Sequence, residues 1–229
     1  MDGNGRWAKK NSMMRVFGHR KGAEAVRGVV KSCRKLGIQY LTLYAFSVEN
    51  WMRPKEEVKA LTLLLKNYLE EELTEMMDNN IRLNAIGDID ALDVGVKTTL
   101  SEAIEKTSEN KGMCLNLALS YGGRDEIIDG VRKIVRDIKS GTINEDSITR
   151  DMFSQYLYFP EMPDPDLLIR TSGEYRLSNF LIWQLAYTEL YFTDVLWPEF
   201  STEHLLEAIK DYQSRERRFG MTSEQLSKG

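Results

Sequence analysis

The sequence has few cysteines and no long apolar run, and each scarcity excludes a class of protein. The only two cysteines, Cys33 and Cys114, lie in apolar surroundings without metal-ligand spacing. We therefore predict reduced core thiols and a cytoplasmic protein. No run approaches the roughly 18 apolar residues that a membrane span needs. No signal peptide is visible.

An excess of basic residues is also lacking. The chain has 31 Lys and Arg against 35 Asp and Glu, a net charge of −4. This balance gives no support to nucleic-acid binding, so any anionic ligand must meet local clusters of arginine. The five prolines do not mark a linker, and the hydrophobic content of 42% is that of an ordinary globular protein.

Helical and strand patterns alternate along the chain. The predicted helices are 24–37, 54–80, 91–110, 124–141 and 202–219, and the predicted strands are 40–46, 81–87, 113–121, 165–172 and 189–195. This alternation predicts an α/β fold: one domain over residues 1–229, with a mostly parallel central β-sheet flanked by helices. Ligands of such sheets bind at the carboxyl ends of the strands.

The opening stretch MDGNGRW combines an acid, two glycines, a cation and a large aromatic. A surface turn explains the glycines and Asn4 but not Arg6 and Trp7. Polar residues also follow the predicted strands, at 47–54 and 170–179. Arg170 and Arg176, with hydroxyls between and beyond them, suit a phosphate, because arginine binds phosphate oxygens by paired, charge-assisted hydrogen bonds. The alternative for any one of them is a solvated surface charge.

The long predicted helix 54–80 has more apolar surface than one core stripe requires. A wide core face or a dimer contact would explain it, and so would one wall of a hydrophobic tunnel. A diphosphate head near the arginines and an apolar tail in the tunnel would join the two features. Mg²⁺ takes few protein ligands, so Asp2 and one distant glutamate would suffice to hold it.

Several blocks together resemble the cis-prenyltransferases. They are MDGNGRWA, Gly18-His19, YAFSVENWMRP, LNLALSYGGRDEI, DPDLLIRTSGEYRLSNFLIWQLAYTELYFTDVLWP and RERRFG. No two aspartates are adjacent, so the Asp-rich metal motifs of the trans-prenyltransferases are not expected. The resemblance covers nearly the whole chain and implies a fold with a hydrophobic tunnel.

The resemblance also implies an activity. Members of the family condense farnesyl diphosphate with successive isopentenyl diphosphates and need Mg²⁺; bacterial members make undecaprenyl diphosphate, precursor of the lipid carrier for cell-wall glycans. It implies a homodimer without a transmembrane segment, located in the cytoplasm and peripheral to the inner face of the membrane, to which the product is delivered.

Site residues follow from the same resemblance. Asp2 is the implied catalytic aspartate, which holds Mg²⁺ and assists departure of the diphosphate. Glu189 is the implied second metal ligand, and Asn50 a proton acceptor or a positioning group. The implied allylic diphosphate site is Gly3, Asn4, Gly5, Arg6, Trp7, Arg15 and His19, although a lone histidine after glycine is also common at a helix start. The resemblance also implies that the site is lined by residues of the loop after the first predicted strand: Ser47, Val48, Glu49, Trp51 and Arg53. Arg170, Arg176, Leu177 and Ser178 form the implied isopentenyl diphosphate site, and Arg215, Arg217 and Arg218 are implied to reach a partner subunit.

The family usually has an apolar strand directly before this opening turn, so we expect such a strand to precede Met1 in the full protein. Two other functions stay open at this stage. One is a non-catalytic subunit of a prenyltransferase complex, and the other is a generic phosphate-ligand binder or phosphotransferase.

Overall fold

The computed structural model describes residues 1–218, so Phe219 and Gly220 of the RERRFG motif lie outside the described residues. Its helices are α1 (Asn4–Lys10), α2 (Arg15–Lys35), α3 (Lys55–Asp78), α4 (Val94–Thr107), α5 (Gly123–Lys139), α6 (Arg150–Ser154) and α7 (Thr202–Gln213). Its strands are β1 (Tyr40–Tyr44), β2 (Arg82–Ile86), β3 (Cys114–Ala118), β4 (Leu167–Arg170) and β5 (Glu189–Phe192). The five predicted strands and five predicted helices are all present, and α1 and α6 are additional.

The strands are parallel and form two hydrogen-bonded sheets, one of order β1-β3-β2 and one of β4-β5. The predicted α/β architecture with parallel strands and flanking helices is therefore confirmed. Side chains connect the two sheets. Leu168 of β4 lies in one buried cluster with Ile86 of β2 and Ala118 of β3, and the Tyr44 ring at the end of β1 stacks on Phe180 in the loop after β4.

The main hydrophobic core lies between the β1-β3-β2 sheet and the helices α2, α3 and α4. Every residue of β3 is buried, because β3 is the central strand and both faces of the sheet are covered. Cys33 and Cys114 are free and buried, as predicted. Burial raises the pKa of the Cys33 thiol to about 11, which keeps it protonated and unreactive.

Helix α3 uses much of its wide apolar surface in this core. Tyr68, Leu69 and Met76 are buried, and Leu61 and Leu65 pack against the core while half-buried. The prediction of a wide core face therefore explains why these positions of α3 are apolar. An open surface depression at the carboxyl end of α5 is lined by residues 138 and 141–145. A tunnel along α3 stays a prediction.

None of the helices within residues 1–218 combines the length and the apolar composition that crossing a bilayer requires.

Candidate functional site at the end of strand β4

The opening turn lies directly against the loop that follows β4. Gly3 has a φ of 102°, in the left-handed region that favours glycine, and begins α1. A Cβ there would stand 2.2 Å from the Ser172 hydroxyl oxygen. Gly3 is therefore required both for the backbone conformation and for the close approach of the two segments.

Asp2 is held by its backbone as well as by its side chain. Its carbonyl oxygen accepts hydrogen bonds from the Trp197 N–H (2.9 Å) and the Ser172 hydroxyl (2.6 Å). Its carboxylate Oδ2 accepts two from Arg170, from Nε (3.0 Å) and Nη2 (2.8 Å). The structure thus joins residues 168 positions apart in sequence, an acid and a cation that the sequence placed in separate motifs.

Arg170 also organises the loop that follows it. Its Nη1 donates to the Ser178 hydroxyl (2.9 Å) and to the Arg176 carbonyl. Ser172 and Ser178 have φ values of 76° and 52°. Left-handed backbone at such residues costs energy and is frequent at functional sites.

Two further arginines of the site share one carboxylate. Glu174 pairs with Arg6 (2.9 Å) and with Arg176. Within residues 1–218, the guanidiniums of Arg6, Arg170 and Arg176 form their ion pairs with two carboxylates, those of Asp2 and Glu174. The local excess of positive charge and the Ser178 hydroxyl suit an anionic ligand.

A second cluster of cations surrounds Glu57 in the first turn of α3. Its carboxylate accepts hydrogen bonds from Arg15 (3.0 Å) and Arg53 (3.3 Å), and His19 Nε2 lies 3.7 Å away. Burial lowers the pKa of His19 below its ordinary value, although Glu57 acts in the opposite direction. The imidazole is therefore neutral at pH 7, and the charge of this cluster comes from the two arginines.

The loop after β1 is fixed by its own polar groups. The Ser47 N–H donates to Asn50 Oδ1 (3.2 Å), and Trp51 Nε1 donates to the Ser120 hydroxyl (2.9 Å). The Val48 N–H donates to the Tyr121 carbonyl (3.0 Å). The Asn50 oxygen is thus engaged within its own loop, an arrangement that favours a positioning role over proton acceptance.

Asn179 connects this loop with the loop after β4. Its side-chain N–H donates to Glu49 (2.9 Å). Burial raises the pKa of Glu49, but hydrogen bonds, the one from Asn179 foremost, outweigh it and leave the pKa below its ordinary value. The N–H groups of Gly123 and Arg124 donate to the backbone and side-chain oxygens of Asn179, at 2.7 and 2.9 Å. Asn179 therefore engages the N–H groups of the turn that follows β3.

Asn4 and Gly5 are part of the packing of α1 against α2. Asn4 Nδ2 donates to the Met1 carbonyl (3.3 Å), and its buried Oδ1 has no hydrogen-bond partner in the described residues. A Cβ on Gly22 would stand 2.3 Å from that oxygen. Gly5 faces the Arg15 side chain. Trp7 is half-buried, and Leu177 packs half-buried against the smaller core around Tyr121.

Glu189 lies at the opposite end of the β4-β5 pair from Arg170. It begins β5 opposite Leu167, whereas Arg170, the partner of Asp2, lies opposite Phe192. Three residues along a strand span roughly 10 Å. Glu189 pairs instead with Arg215 (2.8 Å). Within residues 1–218, no group of three or more acidic, histidine or cysteine side chains is arranged to hold a metal ion. The Asp2–Glu189 metal pair stays a prediction.

The C-terminal arginines have partners in their own chain. Besides Arg215, Arg217 pairs with Asp166, and Arg218 lies 3.1 Å from Glu216. Their predicted reach towards a partner subunit stays a prediction.

Sequence reasoning missed three residues of the site: Glu57, Glu174 and Asn179. Glu57 fits the ordinary preference for acids in the first turn of a helix. Because this preference already explained the residue, its binding of Arg15 and Arg53 was not predicted. The only available signal was their position, since all three lie within a few residues of strand ends or predicted binding residues.

Comparison with known proteins places this geometry in a family. Residues 1–220 match the family model described as "Putative undecaprenyl diphosphate synthase". The isoprenyl transferase of Geobacter sulfurreducens is 56% identical over 227 residues, covering 99% of this chain and 92% of that protein. The isoprenyl transferase of Chlorobaculum tepidum is 50% identical, covering 99% and 85%.

Two solved structures share the fold. Lavandulyl diphosphate synthase from Lavandula x intermedia, in complex with dimethylallyl diphosphate, superposes with a TM-score of 0.93 at 37% identity, covering 96% of this chain and 95% of that one. A probable undecaprenyl diphosphate synthase from Campylobacter jejuni superposes with a TM-score of 0.78 at 36% identity, covering 88% and 92%. The chain is therefore a prenyltransferase that belongs to the undecaprenyl diphosphate synthase family.

Proposed function

We propose that this prenyltransferase condenses farnesyl diphosphate with successive isopentenyl diphosphates, with Mg²⁺, to a long-chain polyprenyl diphosphate such as undecaprenyl diphosphate. The product would serve as precursor of the lipid carrier for cell-wall glycans. The observation that carries the proposal is the contact of the Asp2 carboxylate with Arg170. It brings the opening turn to the arginine loop, as binding two diphosphates side by side requires.

The residues around Asp2 fit a magnesium ion. Arg170 donates two hydrogen bonds to Oδ2 of the Asp2 carboxylate, and Oδ1 accepts no hydrogen bond from the described residues. The side chain is half-exposed. Mg²⁺ keeps several waters and binds through one or two carboxylates plus substrate phosphates, so one accessible carboxylate oxygen suits it. When bound, it would neutralise charge on the departing diphosphate.

The two cation clusters supply two anion sites. In this proposal the allylic diphosphate lies beside Arg15, His19 and Arg53 of the Glu57 cluster, with Arg6 of the first cluster as a further ligand of its phosphates. The isopentenyl diphosphate lies on the side of Arg170, Arg176 and Ser178. Preformed guanidiniums stabilise the negative charge that develops on the leaving diphosphate without reorganising, which is commonly the largest contribution to catalysis.

Other residues of the site orient the substrates. The fixed loop after β1 would place Trp51 and Asn50 beside the reacting carbons while its backbone stays in place. A homodimer, a cytoplasmic location and delivery of the product at the membrane are parts of the same proposal. They rest on the family to which the chain belongs.

A direct assay tests the proposal. The purified protein is incubated with farnesyl diphosphate, radiolabelled isopentenyl diphosphate and Mg²⁺, and the products are sized by chromatography. We expect chain-extended products that require all three components and disappear on chelation. If no product forms, a non-catalytic subunit becomes the better interpretation. If one substrate is consumed without the other, a generic phosphate-handling activity replaces prenyl transfer.

Glu57 is predicted to position the cations of the allylic site. In Glu57→Gln, Arg15 and Arg53 lose their shared carboxylate, and we expect KM for farnesyl diphosphate to rise about tenfold, with a smaller change in kcat. The pKa of His19 should fall further, because Glu57 raises it in the native protein. NMR titration of the imidazole measures this second effect independently of turnover.

The neighbouring Glu56→Gln serves as the control. Its side chain is exposed and its nearest cation, Lys59, is 3.9 Å away. It should leave both KM and the His19 titration unchanged. Equal effects of the two substitutions would show that general charge, rather than positioning by Glu57, is responsible.

A further inference from the structure

The Glu174 carboxylate is shared by two arginines that belong to different diphosphate sites of the proposed function. Its Oε1 lies 2.9 Å from Arg6 Nη2, and its Oε2 binds Arg176 Nη1. In the proposed function, Arg6 is a ligand of the allylic diphosphate and Arg176 a ligand of the isopentenyl diphosphate. A single carboxylate therefore stands between two of the groups that would receive the negative charge of the substrates.

Arg6 is also held by a group other than Glu174. Its Nη1 donates to the Ser172 carbonyl oxygen (2.8 Å). The Ser172 N–H in turn donates to the Val195 carbonyl oxygen (2.9 Å), which fixes this part of the loop to the segment after β5. The Glu174 side chain takes no part in these two hydrogen bonds. It can therefore leave Arg6 while the guanidinium stays in place.

The ion pairs of Glu174 lie in a largely solvated setting. The side chains of Arg6 and Arg176 are 52% and 61% exposed, and that of Glu174 is 23% exposed. Such ion pairs are weak, because water solvates both partners when they separate. Within residues 1–218, the Arg176 guanidinium pairs with no carboxylate other than that of Glu174. Removing this carboxylate leaves two solvated cations and should cost the fold little.

A diphosphate and Glu174 compete for the same N–H groups. Arginine binds carboxylate and phosphate oxygens through one planar array of donors. A diphosphate that binds either arginine beside Glu174 comes next to a second negative charge, and like charges at such a distance repel. The ion pairs of Arg6, Arg170 and Arg176 with Asp2 and Glu174 carry a local charge of +1, three cations less two anions. The departure of Glu174 raises this charge to +2.

We propose that Glu174 is a displaceable counter-ion, whose carboxylate binds Arg6 and Arg176 and gives way when the diphosphate of a substrate binds. This inference rests on the proposed function, because it takes the anion to be a diphosphate. Glu174 lowers the affinity of the site for anions, and its return to the arginines favours release of inorganic diphosphate after each condensation. An enzyme that adds many units to one chain benefits, because tightly bound inorganic diphosphate would slow the next addition.

Binding of inorganic diphosphate tests the proposal without prenyl substrates. It is measured by isothermal titration calorimetry in the presence of EDTA, so that no metal–diphosphate complex forms. Glu174→Gln removes the competing charge and keeps the size of the side chain. We expect the Kd for inorganic diphosphate to fall about tenfold, through loss of one nearby negative charge in a solvated site. Glu174→Ala should give the same result, because the charge and not the shape competes.

Glu70→Gln is the matched control, because it removes the same charge from an acid that pairs with Lys66 at 3.6 Å. Glu70 lies more than three turns along α3 from Glu57. Its substitution should leave the Kd unchanged. All three variants should keep the native circular dichroism spectrum and a Tm close to that of the native protein.

Three results would overturn the proposal. The first is an unchanged Kd in both Glu174 variants. The second is a raised Kd, which would show that Glu174 positions the arginines instead of competing for them. The third is an equal fall in Kd for Glu70→Gln, which would assign the effect to net charge.

These binding measurements are independent of turnover. If the native protein forms no prenyl product but Glu174→Gln binds diphosphate more tightly, the proposed function fails and the counter-ion role stands. If the native protein forms product but the Glu174 variants bind diphosphate no more tightly, the counter-ion role fails by itself. The two failures can therefore be told apart.

Discussion

Replacing Asp2 with alanine is expected to reduce the rate of prenyl transfer by about 10²–10³-fold, the usual cost of losing one preorganised electrostatic group. The substitution removes the half-exposed carboxylate that would hold Mg²⁺ and leaves Arg170 without its anionic partner. Turnover of farnesyl and isopentenyl diphosphates under saturating Mg²⁺ measures the loss. Asp2→Asn should lose nearly as much, because an amide cannot supply the negative charge.

The fold should survive this change. The contacts that anchor residue 2 from Trp197 and Ser172 use its backbone carbonyl, which alanine keeps. Arg170 retains its bond to Ser178. Because Arg170 is only 11% exposed and loses its carboxylate partner, we expect a loss of about 1–3 kcal/mol in the free energy of unfolding.

Asp90→Ala is the control for Asp2, since Asp90 is an exposed acid whose nearest cation, Lys97, lies 3.3 Å away. It should keep native turnover. If Asp2→Ala also turned over at nearly the native rate, the assignment of Asp2 to diphosphate departure would have to be abandoned.

Replacing Gly18 with alanine is expected to give the largest loss of stability. A Cβ at Gly18 would stand 2.0 Å from the Asn4 carbonyl oxygen and 2.8 Å from its carbon. These are backbone atoms of α1, so no side chain can rotate away and the whole helix must shift. We expect a cost of about 3 kcal/mol. For a chain of this size, each kcal/mol lowers Tm by roughly 2–4 °C.

Gly28→Ala provides a control in the same helix α2. No atom lies within 4 Å of the added Cβ. Alanine should therefore raise the free energy of unfolding by up to about 1 kcal/mol, through helix propensity alone. Thermal unfolding followed by circular dichroism compares the two. Similar Tm values would show that α1 is not held closely against α2 at Gly18.

The Gly18 substitution should also reduce turnover, since α1 begins at Asn4, two residues after Asp2. A shift of α1 would move the Asp2 carboxylate relative to Arg170. The expected result is a lower kcat at temperatures where the variant is still folded.

Local pattern was sufficient for most of the elements. The apolar positions of α2 recur at helical spacing, and Gly37, with a φ of 75°, ends its pattern as predicted. The last predicted helix instead stops at Gln213, so Arg215 lies beyond it and its side chain turns back to Glu189. Helical periodicity did not mark this boundary: Arg215 pairs with Asp211, four residues back as in a helix, and also with the distant Glu189, which the local sequence does not reveal.

The charge pairing of the site could not be read from local pattern. Glu57 is separated from Arg15 by 42 positions, and the pair forms only because the start of α2 approaches the start of α3. Asn179 likewise accepts hydrogen bonds from the N–H groups of Gly123 and Arg124 after β3, more than 50 positions away in sequence. Hydrogen bonds between distant segments decide which polar groups remain available.

The sequence by itself determined the α/β class, the order of helices and strands and, through its motifs, the family. These depend on short-range periodicity and on residue types at fixed spacing. Only the tertiary structure decided that Asp2 forms an ion pair with Arg170 and that the Glu57 carboxylate binds both Arg15 and Arg53. It also decided that Glu189 lies at the opposite end of the β4-β5 pair from Arg170. Such contacts form between segments that packing brings together, and their distances depend on the arrangement of the whole core.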